Sequence, residues 1–273
     1  MAKIAPTIFF FTALPCEASP LIERFKLKKD LTSQAFDVYL REEICLTITG
    51  IGKCAMAAGV AYTLARMSAA ENPILLNIGI AGHAVHDLGS VFLAGKIIDA
   101  ETLRNYYPPL LFSPPCPVET VRTQSRPQLD YTETHLHDME ASAFYETAVR
   151  FSTGEVVHCL KIVSDNRLAP AENVQPKLAT ALIAGQLRVV DALLAELRPL
   201  QGLLDSPEPR QLRQLLDLFH FTAHERRQLR NQMLRWECLT DGQRLEIDPA
   251  AFRNAKDVLL WLTRQIDSVE YTL

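Results

Sequence analysis

Short apolar runs alternate with helical patterns through the first two thirds of this chain, and this alternation limits its fold more than any other feature. The runs that predict strands cover residues 7–14, 36–40, 43–49, 73–80, 91–100 and 156–163. The patterns that predict helices cover residues 17–25, 53–69, 139–151 and 176–197. Several of these strands are continuously apolar rather than alternating, as strands are when both faces of a sheet are covered. The order of elements therefore predicts an α/β layered domain with a mostly parallel sheet and helices on both faces.

A change of composition near residue 199 predicts a second, smaller region. Residues 199–210 hold three prolines and one glycine. Helical patterns follow at residues 208–219, 223–239 and 249–268. Because 48% of the 273 residues are hydrophobic, the chain can fill one large core and a small appendage. We expect an α/β domain over residues 1–198 and a C-terminal helical extension over residues 199–273.

A proline-rich segment interrupts the α/β pattern. Residues 105–130 contain six prolines, and proline both removes a backbone donor and fixes φ. The segment predicts a long loop with one short strand at residues 118–123. Long loops in compact domains are often functional.

Charge and cysteine content narrow the classes of partner and compartment. The formal net charge of −4 favours neither nucleic acid nor an anionic membrane surface as a partner. No apolar run reaches the roughly 20 residues that a membrane span needs. The six cysteines form no Cys-x-x-Cys pair, which predicts free thiols in a reducing, cytoplasmic compartment. The start of the chain weakly resembles a signal segment ending at Cys16, but Pro15 fits a cleavage site poorly and a buried strand explains it better.

Three carboxylates follow or adjoin these predicted elements. Glu17 comes just after the first strand, Asp165 ends the strand that begins near residue 156, and Glu140 opens a helix. The carboxyl ends of strands are where α/β sheets bind ligands. Each residue also has a simpler interpretation: Glu17 as a solvent-facing helix carboxylate, Glu140 as a helix-start acid beside Asp138, and Asp165 as part of a capping turn.

Cleavage of a bond between a sugar and a purine would use all three carboxylates. An acid protonates the leaving base and a base directs water at the anomeric carbon, by analogy with glycosidases. Asp165 suits the acid, because burial at a strand end disfavours the charged carboxylate. Glu17 suits the base, and Glu140 suits a clamp on the ribose hydroxyls, held by helix-terminal donors.

Five motifs in order resemble a known superfamily. They are Thr12–Glu17, Thr49–Lys53, Asn77–Gly82, Asp138–Ala141 and Val163–Asp165. Together they resemble the nucleoside phosphorylase superfamily, and most closely its methylthioadenosine/S-adenosylhomocysteine nucleosidases. The resemblance covers roughly residues 5–197 with a gap. It implies a three-layer α/β/α fold around a mixed central sheet, a nucleoside substrate and assembly as a homo-oligomer. We expect no cofactor.

The resemblance also implies roles for individual residues. Glu17 matches the glutamate that activates water, and Asp165 matches the aspartate that protonates purine N7. Glu140 matches the glutamate that holds the ribose hydroxyls, with Met139 packing on the sugar. The other residues expected to bind substrate are Ile51, Gly79, Ile80, Ala81 and Gly82 in two glycine-containing turns, Ser164 beside Asp165, and Lys161 in place of a nucleosidase arginine.

Two departures from the family's pattern affect the groups that would recognise the base and the 5′ substituent. Ile80 replaces a small polar residue in the glycine-rich turn, which removes a hydroxyl near the water. The connection from residue 99 to 139 is too short to hold the usual strand, helix and base-stacking aromatic residue. The aromatic residues that could replace it are Tyr106, Tyr107, Phe112 and Tyr131.

Three functions therefore stay open at the level of the sequence. A nucleosidase ranks first, because no arginine near Glu17 or within residues 79–82 matches a phosphate site. A phosphate-dependent phosphorylase of the same fold ranks second, and a non-catalytic nucleoside-binding module third. The histidine pairs at 83 and 86 and at 135 and 137 have no partner pair at metal-ligand spacing, so we expect no metal.

Overall fold

The computed structural model describes residues 6–67, 72–204 and 208–269. The strands are β1 (Ile8–Thr12), β2 (Lys28–Lys29), β3 (Asp37–Arg41), β4 (Ile44–Ile48), β5 (Ile74–Gly82), β6 (Val91–Asp99), β7 (Asn105–Tyr106), β8 (Val118–Thr123), β9 (Leu136–Asp138) and β10 (Val157–Asp165). The helices are α1 (Pro15–Phe25), α2 (Lys53–Met67), α3 (Ala141–Ala148), α4 (Pro176–Gly185), α5 (Leu187–Leu204), α6 (Leu212–Leu218), α7 (Ala223–Leu239) and α8 (Ala255–Asp267). The chain divides between residues 205 and 206 into two compact units.

A single mixed sheet forms the centre of the first unit. Its order is β10-β6-β8-β9-β5-β1-β4-β3-β2, with β7 beside β6. Strand β10 also pairs with β5, so β5, β10, β6, β8 and β9 close into a ring. Parallel pairs such as β1–β5 and β10–β5 are joined by antiparallel pairs such as β10–β6 and β3–β4. The mixed sheet is confirmed: the longest pairing, β10–β5, and both pairings of β1 are parallel, and returns such as β3–β4 add antiparallel neighbours.

Helices cover both faces of this sheet, which confirms the three layers. In β1, Phe9 and Phe11 pack with α2 and α3, while Ile8 and Phe10 pack with α1, α4 and α5. All four side chains have no exposed surface, and full burial of a phenylalanine contributes roughly 2–3 kcal/mol. This two-sided burial is the reason that β1 is continuously apolar.

The glycine-containing segment at residues 79–82 is strand, not turn. It forms the end of β5 and pairs with β10 from Gly79 to Gly82. A β-carbon on Gly79 would lie 2.9 Å from Glu17 Oε1, and one on Gly82 would lie 2.5 Å from Asp165 Oδ2. The glycines therefore permit the close approach of two carboxylates, a use that the sequence does not distinguish from a turn.

The helical pattern at residues 176–197 forms two helices. Helix α4 ends at Gly185, and Gln186 leaves the helical conformation and donates from Nε2 to the carbonyl oxygen of Gly89 at 2.8 Å. Helix α5 then runs to Leu204, through Pro199, which was expected to begin the boundary. No single helix of the described residues is long and apolar enough to cross a membrane; α4 and α5 pass that test only as a pair, across a 50° bend.

Other helices and strands differ from prediction mainly at their ends. Helix α3 begins at Ala141 rather than 139, because β9 occupies the residues up to Asp138. Helix α2 is described to Met67, and the predicted residues 68 and 69 lie outside the described residues. The proline-rich segment contains β8 at the predicted place and the two-residue β7.

The second unit is helical, as expected for the C-terminal extension. Helices α6, α7 and α8 share a separate core that includes Leu229, Met233, Trp236 and Leu262. The pattern at 249–268 forms a 3-10 turn followed by α8. The domain boundary between residues 198 and 199 stays a prediction.

Candidate active site

A cavity of about 180 Å³ lies in the first unit, where the carboxyl ends of β1, β5 and β10 meet. Nine of the eleven predicted site residues line it: Glu17, Ile51, Ile80, Ala81, Gly82, Met139, Glu140, Ser164 and Asp165. The other two, Gly79 and Lys161, lie behind its wall, against the Glu17 carboxylate. The structure thus brings the three predicted carboxylates together.

Glu17 is a buried carboxylate, not the solvent-facing helix residue of the simpler interpretation. Its side chain stands at the start of α1 and the residue is 3% exposed. Oε2 accepts from the backbone N–H groups of Ala13 and Leu14 at 2.9 Å each, and Oε1 accepts from the N–H of Ile80 at 2.9 Å. Burial raises the pKa of Glu17, while the Ile80 hydrogen bond and the Lys161 charge oppose that rise. These bonds fix the carboxylate and leave Oε1 one lone pair that is not used by the backbone.

Asp165 ends β10 rather than lying in a capping turn. Its Oδ1 accepts from the Ser164 hydroxyl at 2.6 Å, and its Oδ2 accepts from the Tyr131 hydroxyl at 2.8 Å. The residue is 6% exposed. Burial, and then the bond to Asp165, raise the pKa of Tyr131 to about 12, so its hydroxyl keeps its proton at neutral pH.

Glu140 is held by a helix terminus, but not by that of its own helix. Its Oε1 accepts from the backbone N–H of Gly52 at 2.7 Å, immediately before α2. It makes no side-chain cap on α3. Burial, and then the nearby Asp138 carboxylate, raise the pKa of Glu140 to about 7. The donor at the start of α2 orients the carboxylate and favours its charged form.

Asp138 takes the role of helix-start acid and also forms a buried ion pair. Its Oδ2 accepts from the N–H groups of Glu140 and Ala141 at 3.2 and 2.7 Å, and its Oδ1 accepts from the Thr123 hydroxyl at 2.6 Å. Lys161 Nζ lies 2.8 Å from the same Oδ2, with both side chains buried. Burial lowers the pKa of Lys161, but the Asp138 and Glu140 carboxylates outweigh that effect and hold it above its ordinary value. The lysine ammonium therefore balances one of the buried negative charges.

Several lining residues escaped the sequence analysis. They are Ala13, Leu14, Pro127, Gln128, His137, Asp138, Ala171 and Val174. Ala13 and Leu14 lie within the first matched motif, so that motif could have identified them. Pro127, Gln128, Ala171 and Val174 lie in irregular segments without hydrophobic periodicity, and no pattern singles them out.

The cavity wall differs from the expectation of an aromatic residue that stacks on the base. No phenylalanine, tyrosine or tryptophan among the described residues lines it. Phe112 packs against His158, Tyr106 donates to Glu146, and Tyr107 lies under Lys96. Of the four candidates only Tyr131 comes near the site, and it does so through its hydroxyl.

The histidines near the cavity are held by the protein itself. His83 Nδ1 accepts from the backbone N–H groups of Val85 and His86, and its Nε2 lies 3.0 Å from the Thr134 carbonyl oxygen. His137 Nδ1 lies 2.9 Å from Gln124 Nε2. In the part of the chain that the structure describes, no group of three or more His, Cys, Asp or Glu side chains lies close enough to hold a metal ion.

Comparison with solved structures places this geometry in a known fold. The apo 5′-methylthioadenosine nucleosidase of Arabidopsis thaliana matches 71% of this chain and 96% of its own, with a TM-score of 0.57 and 18% identity. Futalosine hydrolase of Helicobacter pylori strain 26695 matches 70% of this chain and 98% of its own, with a TM-score of 0.57 and 13% identity. The 5′-methylthioadenosine/S-adenosylhomocysteine nucleosidase of S. pneumoniae, solved with a transition-state inhibitor, matches 70% and 99%, with a TM-score of 0.56 and 17% identity.

Sequence comparisons add nothing to this likeness. No protein-family model matches the chain, and no curated protein matches it. At identities of 18% or less the likeness concerns the fold alone. The chain has the fold of these nucleosidases and of futalosine hydrolase, so the resemblance seen in the motifs is confirmed for the fold.

Proposed function

We propose that this protein is a nucleosidase that hydrolyses the N-glycosidic bond of a purine nucleoside or a 5′-modified purine nucleoside. The observation that carries the proposal is the set of three buried carboxylates, Glu17, Glu140 and Asp165, around one cavity. Burying a carboxylate costs stability unless it is paired or hydrogen-bonded, and titratable groups that are buried around a cavity cluster at functional sites. Their arrangement in a nucleosidase fold matches the chemistry of glycosidic bond cleavage.

The three carboxylates would divide the reaction between them. As the bond between C1′ and N9 breaks, the Asp165 carboxyl donates its proton to N7 of the departing base. The Glu17 carboxylate accepts a proton from water while the water oxygen bonds to C1′ of the oxocarbenium-like sugar. Glu140 accepts hydrogen bonds from the ribose hydroxyls and fixes the sugar against Met139.

Water is a better acceptor for this cavity than phosphate. No lysine or arginine of the described residues lines the cavity, and the ammonium of Lys161 is bonded to Asp138 behind its wall. A bound phosphate needs cationic or backbone donors gathered on its oxygens. The backbone N–H groups of Ala13, Leu14 and Ile80, which could otherwise bind an anion beside Glu17, already donate to its carboxylate.

The test is base release from a panel of nucleosides, with and without phosphate, for the wild type and Glu17→Gln. We expect release without phosphate, a loss of roughly 10²- to 10⁴-fold in kcat in the variant, and retained nucleoside binding. Glu43→Gln is the matched control, because Glu43 is a half-exposed partner of Arg198, and it should leave kcat unchanged.

Three other outcomes would replace the proposal. Release only in the presence of phosphate would make the protein a phosphorylase. Binding without release would favour a non-catalytic nucleoside-binding module. Release that is unaffected by Glu17→Gln would remove the role given to that carboxylate.

We propose further that the protein acts as a homo-oligomer in the cytoplasm, without nucleic acid or membrane partners. The first part rests on the resemblance, and the second on the cysteines. All six cysteines are free, and Cys45 and Cys159 are buried, as in proteins that keep their thiols reduced. Sedimentation of the purified chain and its location in intact cells would test the two parts.

A further inference from the structure

Tyr131 links the candidate general acid to a second segment of the chain. Its hydroxyl donates to Asp165 Oδ2 at 2.8 Å and accepts from the backbone N–H of Ala171 at 2.8 Å. The residue is 4% exposed. The contact therefore lies behind the cavity wall, protected from water.

The direction of this hydrogen bond is fixed. A tyrosine hydroxyl has one proton, and Ala171 N–H already occupies an acceptor position on its oxygen. Asp165 Oδ2 is the acceptor that the described residues provide for that proton. Ser164 is different, because its hydroxyl lies 2.6 Å from Asp165 Oδ1 and 3.4 Å from the carbonyl oxygen of Ala81. It can donate to Ala81 when Oδ1 is protonated.

We propose that Tyr131 is a positioning residue that keeps the acid proton of Asp165 on Oδ1. In a protonated carboxyl group the carbonyl oxygen is the better acceptor, so the oxygen that accepts the fixed Tyr131 bond remains the carbonyl oxygen. The proton then lies on Oδ1, which Ser164 can accommodate by turning. This inference rests on the proposed function, because it assigns the proton that the base would receive.

The backbone of Tyr131 supports a specific role for it. Its φ of 48° is in the left-handed region, which a residue with a bulky side chain rarely adopts. Arg167 Nε donates to the Tyr131 carbonyl oxygen at 2.8 Å and holds this conformation. Such strain concentrates at functional sites. Through Arg167 and Ala171, Tyr131 joins the two segments that place Gln128 and Val174 on the cavity wall.

Among the described residues, three other titratable residues contact the Tyr131–Asp165 pair or act on it by charge. Glu172 acts on the Tyr131 hydroxyl by its charge, and Arg167 contacts the tyrosine backbone. His83 lies beside Asp165, with its backbone N–H donating to the Asp165 carbonyl oxygen at 3.0 Å. None of these groups replaces the Tyr131 bond to Oδ2.

The test compares Tyr131→Phe with Tyr106→Phe. Tyr106 is a matched control, because its hydroxyl donates to the Glu146 carboxylate at 2.8 Å and neither residue lines the cavity. We expect Tyr131→Phe to lower kcat about ten- to hundredfold with little change in KM. We also expect it to move the alkaline limb of the pH profile to higher pH, because a hydrogen bond that stabilises the carboxylate is lost. Tyr106→Phe should change neither quantity.

A purely structural role would lower kcat at every pH and leave the limb in place, and that result would overturn the proposal. So would a larger loss of kcat in Ser164→Ala than in Tyr131→Phe, because Ser164 would then be the residue that fixes the proton. The Ser164 comparison also decides the matter if Tyr131→Phe folds poorly.

A binding measurement separates this inference from the proposed function. Adenine and hypoxanthine are titrated into the wild type and Tyr131→Phe by calorimetry. If the wild type binds a base but releases none from nucleosides, the proposed hydrolysis fails, while at least a tenfold weaker affinity in Tyr131→Phe still supports the positioning of Asp165. Equal affinity of both proteins would overturn it.

Discussion

Removal of the Lys161 ammonium is the perturbation whose effect on stability can be argued most directly. Lys161 Nζ lies 2.8 Å from Asp138 Oδ2, and the side chains are 1% and 0% exposed. Glu17 and Glu140 also lie in its field. Lys161→Met preserves most of the side-chain volume but leaves the buried carboxylates of Asp138, Glu17 and Glu140 without this cation.

The expected cost is about 3–5 kcal/mol, the usual penalty for breaking a buried ion pair from one side. Because about 2–4 °C accompany each kcal/mol in a unit of this size, the melting temperature of the first unit should fall by roughly 6–20 °C. The pKa of Lys161 is raised in the folded protein, so its contribution is present at all pH values below the ordinary lysine value and is lost only above it.

Urea and thermal unfolding at pH 7, monitored on the first unit, would measure this loss. Arg24→Met is the matched control, because the Arg24–Asp191 pair is 52% and 35% exposed and such surface pairs contribute about 1 kcal/mol or less. A loss below about 1 kcal/mol in Lys161→Met, equal to that of the control, would refute the reasoning that one ammonium balances this carboxylate cluster.

Two further changes test charge at the site and the division of the chain. Burial raises the pKa of Glu140 from 4.5 to about 7, so the folded protein binds more protons than the unfolded chain between these values, and the free energy of unfolding should fall by up to about 3 kcal/mol as the pH rises from 4.5 to 7. Glu140→Gln should flatten this dependence. An unchanged dependence in urea titrations at pH 5 and 8 would contradict the prediction. Deletion of residues 205–273 should change the rate of base release by less than twofold and the melting temperature of the first unit by less than about 2 °C, because the core of the second unit contains only its own residues. Loss of activity or of stability would show that the extension supports the α/β unit.

The two carboxylates with the proposed catalytic roles were predictable because of where they stand. Glu17 and Asp165 follow continuously apolar runs, and such runs indicate central strands whose carboxyl ends converge. The matched motifs added Glu140. The backbone donors that satisfy these buried carboxylates could not be predicted, because they come from distant parts of the chain, such as the Ile80 N–H that donates to Glu17.

Errors arose where one residue type serves two purposes. Gly79 and Gly82 looked like turn residues, and they are strand residues that leave room for carboxylate oxygens. Gly185 was accepted inside a helix and proved to end one. In each case the deciding contact comes from a distant part of the chain, which local patterns do not contain.

The Tyr131 contact with Asp165 shows the same limit most clearly. It joins residues 34 positions apart, and Tyr131 lies in a segment without periodicity. The sequence indicated only that the expected stacking residue was missing and that four aromatic residues stood near. It offered no reason to expect a hydroxyl contact in place of a stacked ring.

The Lys161 ammonium and the carboxylates around it limit how far this chain can be stabilised by substitution. Replacing a buried ion pair by well-packed apolar residues is often neutral or stabilising. The Asp138–Lys161 pair is therefore a place where the protein gives up stability to keep its cavity charged. Substitutions that stabilise the first unit by filling this region with apolar side chains would remove the ammonium whose charge acts on Glu17 and Glu140, so we expect stability gained there to come at the expense of activity. Thermostabilising changes that spare function belong away from the carboxyl ends of β1, β5 and β10, where the cavity lies.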